Sequence, residues 1–155
     1  MTPEKNLKAT TQYLKNLQAM KTHYVAVGLP ASKVAGKKYE GGVDVVDVGA
    51  AHEFGTEDIP ERSFLRAPFE LRKSEINRAI EKAVELVGAG KYDAVTALNR
   101  VGVTARNISV RAFESGGYGT WPDIKEETKK AKGSSAILID KGELRGEITW
   151  EVRSE

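Results

Sequence analysis

Apolar residues recur at helical spacing over the first twenty positions. Leu7, Leu14 and Leu17, with Tyr13 and Met20, share one side while lysines fall between them, which predicts an amphipathic helix to about Lys21. Thr2-Pro3-Glu4 supplies a hydroxyl cap, a proline at the first helical position and an acid facing the positive end of the helix. From His23 the period drops to two: Val25, Val27 and Leu29 alternate against Tyr24, Ala26 and Gly28, a strand that closes at Pro30. Residues 31–42 contain Lys33, Gly36, Lys37, Lys38, Gly41 and Gly42 and few large apolar side chains. They are expected to form a long mobile hairpin loop, a kind of segment that often carries function. Val43, Val45 and Val46-Asp47-Val48 then predict a second strand, antiparallel to the first, followed by a short helical turn from Ala50 to Gly55 and a break at Pro60.

Helical spacing returns from Ser63. Leu71, Ile76, Ile80, Ala83 and Val87 share a face that Ala79 and Val84 widen, until Gly88-Ala89-Gly90 stops it. Asp93 leads a second helix, in which Val95, Leu98, Val101, Ala105, Ile108 and Ala112 step by three or four. Gly102 inside it costs about 1 kcal/mol against alanine and so marks close helix packing. Gly116-Gly117 ends the helix, and a loop through Trp121-Pro122 leads to a lysine-rich stretch, Lys125 to Gly133. After the short apolar run Ala136 to Ile139, Ile148, Trp150 and Val152 alternate with Glu147, Thr149, Glu151 and Arg153, the pattern of a half-exposed antiparallel strand. The sum is one α+β domain over residues 1–155, a small antiparallel sheet packed against long amphipathic helices. Once these faces are buried, no large apolar stripe is expected to remain, so contacts between copies should be mostly polar and the isolated chain monomeric or weakly associated.

Composition narrows the function. Twenty-four Lys and Arg against 22 Asp and Glu leave a net charge of +2 in 155 residues, too little and too interspersed to argue for nucleic-acid binding from charge alone. With no cysteine, disulfides, thiolate zinc sites and cysteine nucleophiles are all excluded. No apolar stretch has the length of a membrane span and the start lacks a signal-peptide core, so a soluble chain made in a cytoplasm is expected.

The chemical motifs are incomplete. His52-Glu53 opens like a helical zinc-protease motif, but Thr56 stands where the second histidine belongs, and the chain has only two histidines. Gly41-Gly42 and Gly116-Gly-Tyr-Gly119 lack a phosphate-binding lysine and the strand-to-helix setting. No serine has a nucleophile-elbow context, and His23 reads as a strand residue. The expectation is a non-enzyme with no catalytic residue, no metal and no cofactor. The positions most apt to touch an acidic partner are Lys33, Lys37 and Lys38 in the loop, Arg62 and Arg66 four apart at a helix entry, and Lys129 and Lys130 in the basic stretch.

Two clusters carry a resemblance. Val48-Gly-Ala-Ala-His-Glu-Phe-Gly-Thr56 followed by Ile59-Pro-Glu-Arg-Ser-Phe-Leu-Arg66 resembles the turn and helix entry of tailed-phage neck proteins, the virion-morphogenesis or tail-completion family. Trp121-Pro122 with Ile124, Thr128 and Lys129, then Ile137 to Arg145 and the terminal strand, is similar to that family's later elements. The order holds over residues 23–153, with Glu61, Ser63, Ile124 and Lys141 departing from the usual alanine, proline, leucine and threonine. Phe54 and Phe64 are expected to anchor the first cluster in the core. The resemblance implies a structural protein of the virion neck, assembled in the host bacterial cytoplasm and absent from membranes. It would form a hexameric ring around the DNA channel, between the tail terminator and a head-completion or connector protein, with non-specific contact to the DNA. The alternatives are the tail terminator itself, or a small nucleic-acid-binding module using the Lys33–Lys38 loop.

Overall fold

The computed structural model describes residues 3–39, 41–123 and 143–155. Lys125, Lys129, Lys130, the run Ala136–Ile139 and the turn at Asp140 lie outside the described residues. The first helix, α1 (Pro3–Thr22), leads directly into strand β1 (His23–Gly28). At that junction the His23 ring Nδ1 lies 2.9 Å from the Ala19 carbonyl and 3.1 Å from the Thr22 hydroxyl, where it can satisfy a carbonyl left over at the helix end.

The partner of β1 is not the predicted strand at 43–48. It is the chain's last element, β2 (Thr149–Ser154), paired antiparallel with Val25 opposite Val152 and Val27 opposite Trp150. Residues 43–48 instead enter a helix, α3 (Val45–Phe54), that also absorbs the predicted turn at 50–55. The Asp44 carboxylate caps it by accepting the Val46 N–H at 2.8 Å, and Asp47 adds negative charge to the first turn. Against that, the weak helix propensity of valine costs only a few tenths of a kcal/mol per residue. The helix ends at Gly55, φ 74°.

Residues 31–39 are pinned rather than loose. They begin with one helical turn, α2 (Ala31–Val34), whose Val34 is fully buried, and Tyr39 packs against the core. Tyr39 N–H donates to the Val43 carbonyl at 2.8 Å, Val45 N–H donates to the Lys37 carbonyl at 3.1 Å, and Lys38 bridges to Asp44. Two apolar anchors and this backbone pairing replace the mobile loop that the glycines and lysines suggest.

The long helix expected from Ser63 is two helices, α4 (Arg66–Leu71) and α5 (Lys73–Gly88), broken at Arg72. Helix α6 (Ala94–Glu114) is the centre of the fold and meets α1, α4, α5 and both strands. Asp93 caps it by accepting the Thr96 N–H at 2.9 Å. Its buried positions are mostly small: Ala97, Gly102, Ala105, Ser109 and Ala112 alternate with Leu98, Val101, Ile108 and Phe113, so neighbours come close to its axis. At Gly102 the indole of Trp150 on β2 fills the space a Cβ would need. The close packing read from Gly102 is therefore real, but its partner is a strand. Two short pieces complete the described chain: the left-handed turn α7 (Gly116–Gly119) and the helix α8 (Glu143–Glu147). The architecture is α+β, mostly helical, with one two-stranded antiparallel sheet laid on α6.

Two apolar clusters hold it. Val45, Phe64, Phe113, Leu144 and Ile148 join α3, the α4 entry, α6, α8 and the start of β2. Ala83, Val87, Ala97 and Val101 join α5 to α6, with Met20 and Val25 packed alongside. Burying residues such as Ile108 and Ile148, which are 0% and 1% exposed, contributes roughly 1.5–3 kcal/mol each. Among the described residues, no helix is long and apolar enough to cross a membrane.

Candidate functional site

The residues of the first cluster build a corner around one carboxylate. Helix α3 turns Glu53 inward until the residue is 5% exposed. After Gly55 the chain makes a tight turn in which the Thr56 hydroxyl accepts the N–H groups of Asp58 and Ile59, and Thr56 N–H donates to the Ile59 carbonyl. Arg62 N–H then donates to the His52 carbonyl at 2.8 Å, which brings residues 63–66 under α3. There the Glu53 carboxylate accepts four hydrogen bonds. Its Oε2 takes the N–H groups of Phe64 at 2.8 Å and Leu65 at 3.0 Å; its Oε1 takes the Ser63 hydroxyl at 2.8 Å and the Arg66 N–H at 2.9 Å.

This arrangement explains the spacing of the motif. Helix α4 has no side-chain cap of its own at Leu65, and the free N–H groups of a helix start must find acceptors. Glu53, twelve residues before Leu65, provides them with a full negative charge at the positive helix end. The Ser63 hydroxyl also accepts the Ala67 N–H at 2.9 Å. With both oxygens so engaged, Glu53 is committed to holding backbone. No group of three or more potential metal ligands occurs among the described residues.

The beginning of the second cluster closes over the same corner. Trp121 donates its indole N–H to the Ser63 carbonyl at 3.0 Å and packs edge-on against Phe113, which in turn packs on Phe64. The indole also lies against Gly117, at φ 67°, where no Cβ would fit. Ser109 of α6 donates to the Phe64 carbonyl at 2.6 Å. Phe64 is thus the core anchor expected of it. Phe54 is not: it is 64% exposed, under the Arg66 guanidinium at 5.4 Å.

Among the described residues, the candidate cations do not form one patch. Arg62 is 6% exposed and reaches inward, its Nε donating to the Pro122 carbonyl at 3.1 Å and its Nη2 to the Asp123 carbonyl at 3.2 Å. Desolvation lowers its pKa, with Asp123 acting in the opposite direction. Arg62 therefore ties the two clusters together instead of facing a partner beside Arg66. Its backbone lies before the helix starts, so the i,i+4 rule does not apply to the pair. Arg66 is exposed and paired with Glu61 at 2.6 Å. Lys37 is paired with Glu147 of α8 at 2.6 Å. Lys33 and Lys38 are exposed.

A larger feature escaped the sequence reading. An apolar groove of about 910 Å³ runs between α1, β1, α5 and α6, with Leu17, Met20, Val25, Ile80, Val84 and Leu98 among its walls. Ile80 and Val84, expected in the core, remain 42% and 47% exposed. The period of α1 and α5 was legible, yet nothing in it tells how much of each face a neighbour covers. Comparison with protein families, with curated proteins and with solved structures finds no match to this chain.

Proposed function

We propose that this protein is a structural subunit of the neck of a tailed bacteriophage, completing the tail so that it can join a filled head. One observation supports this reading above the others. The residues that resemble the neck family, at 52–66 and at 121–122, meet in a single corner, tied by Glu53, Arg62, Ser63 and Trp121. Their polar groups are spent on backbone, so the shared signature is one of scaffold rather than of reaction. Such a corner fixes the angle between α3 and α4 and leaves the outward surfaces free for partners.

In this account six subunits ring the DNA channel and assemble in the bacterial host. They meet the tail terminator on one side and a head-completion or connector protein on the other. The exposed Lys33 and Lys38 are the cations best placed for an acidic neighbour or for passing contact with DNA. The function is binding, without a catalytic step.

Gold-conjugated antibody against this chain, applied to intact virions and viewed by electron microscopy, checks the location. Label is expected between head and tail. Label spread along the tail, or on the capsid shell, would overturn the assignment.

A further inference from the structure

We infer that α1 and the apolar groove form a self-association surface, on which a second copy of this chain docks reciprocally, its α1 stripe in this copy's groove and the reverse. Residues 4–15 of α1 are all exposed, a run of about 18 Å that extends past the body of the fold. A helix of that length is marginal in water without packing, and this one carries Leu7 at 69%, Tyr13 at 42% and Leu14 at 59% exposure. These three continue the stripe of Leu17 and Met20, whose side chains line the groove, while Lys5, Lys8 and Lys15 lie off it. One amphipathic helix thus presents a bare ridge at its start and helps to wall an open groove at its end.

The occupant follows from area and charge. Leu7, Tyr13 and Leu14 on the ridge, with Tyr24, Ile80 and Val84 at the groove, leave on the order of 600 Å² of accessible surface per copy. Covered reciprocally on two copies, that doubles to about 1,200 Å², the lower bound of a specific interface; a one-way contact reaches half of it. Charge points the same way. Four lysines against Glu4 give α1 a charge of +3, which leaves the rest of a chain of net +2 at −1. This disfavours pairing α1 with the α1 of its partner, while the groove, whose charged wall residue is Lys21, takes the stripe by apolar contact. A pair of this kind goes beyond the neck reading, which names no surface between copies, and it is tested separately, since its readout is the mass of the purified chain.

Light scattering coupled to size exclusion, across micromolar concentrations, tests it. The wild type is expected at twice its 16.9 kDa mass. Leu14→Lys and Ile80→Glu should each run as monomers with thermal midpoints near the wild type, because both positions are exposed; Leu7→Asp serves as a second ridge variant. Mixing Leu14→Lys with Ile80→Glu should restore a pair, since one contact is intact and the other becomes Lys facing Glu. A wild type that stays monomeric over the whole range, or a mixture that does not pair, would overturn the inference. So would a monomer that binds duplex DNA or anionic lipid vesicles in a manner lost in Leu7→Asp.

Discussion

Replacing Glu53 with alanine is expected to cost about 3–5 kcal/mol, a large share of the 5–15 kcal/mol by which a domain is stable. The carboxylate, on a residue that is 5% exposed, serves three backbone N–H groups and one hydroxyl, the bonds to Ser63 and Phe64 buried and those to Leu65 and Arg66 partly so. Removing it leaves those donors without their acceptor, and each unsatisfied buried group costs roughly 1–3 kcal/mol before relaxation. The entry of α4 then frays, and Phe64, carried by the same residues, loses its seat in the core. For a chain of this size the thermal midpoint should fall by roughly 10–15 °C. Glu53→Gln keeps one acceptor oxygen but turns an amide toward N–H groups, so it should recover little of the loss. Thermal unfolding followed by circular dichroism reads both variants. A midpoint within about 2 °C of the wild type in Glu53→Ala would show that the corner is held by packing alone.

Trp121→Ala should be nearly as severe, at about 3–5 kcal/mol. It removes the edge contact to Phe113, the hydrogen bond to the Ser63 carbonyl and the lid over Gly117. Trp121→Phe keeps most of the packing and should lose only about 1–2 kcal/mol, mainly for the unpaired carbonyl. The instructive measurement is the double mutant with Arg62→Ala. Arg62 fastens residues 122 and 123 while Trp121 fastens residue 63, so each change releases part of what the other holds. Their costs should fall short of additivity by about 1 kcal/mol or more in urea unfolding. Full additivity would mean that the two motif clusters are neighbours without being coupled.

Long periodic segments were legible because many residues repeat the same statement. α1 and α6 each carry five or more apolar positions in step and the terminal strand three in strict alternation, and each formed where the pattern put it. The segment at 43–48 failed for the opposite reason: a few valines imitate a strand, while Asp44 and Asp47, an acid at the cap and another three residues later, carry the helix signal. The loop at 31–42 was misjudged because Val34 and Tyr39 are single apolar residues among glycines and lysines, and single anchors have no period. The role of Glu53 is tertiary. No spacing rule announces that a carboxylate will cap the next helix rather than its own, and Arg62 was aimed at a surface for the same reason. The groove is a matter of coverage, which depends on where α1 crosses the body and not on its amphipathic pattern.

The neck assignment is tested most directly by electron microscopy of particles made by a phage that carries this sequence with an early stop codon in its gene. DNA-filled heads and separate tails of normal length, accumulating unjoined, are the expected result, and adding purified protein to that lysate should join them. Complete virions with heads and tails attached would contradict the account, and tails of uncontrolled length would assign the chain to the tail terminator instead.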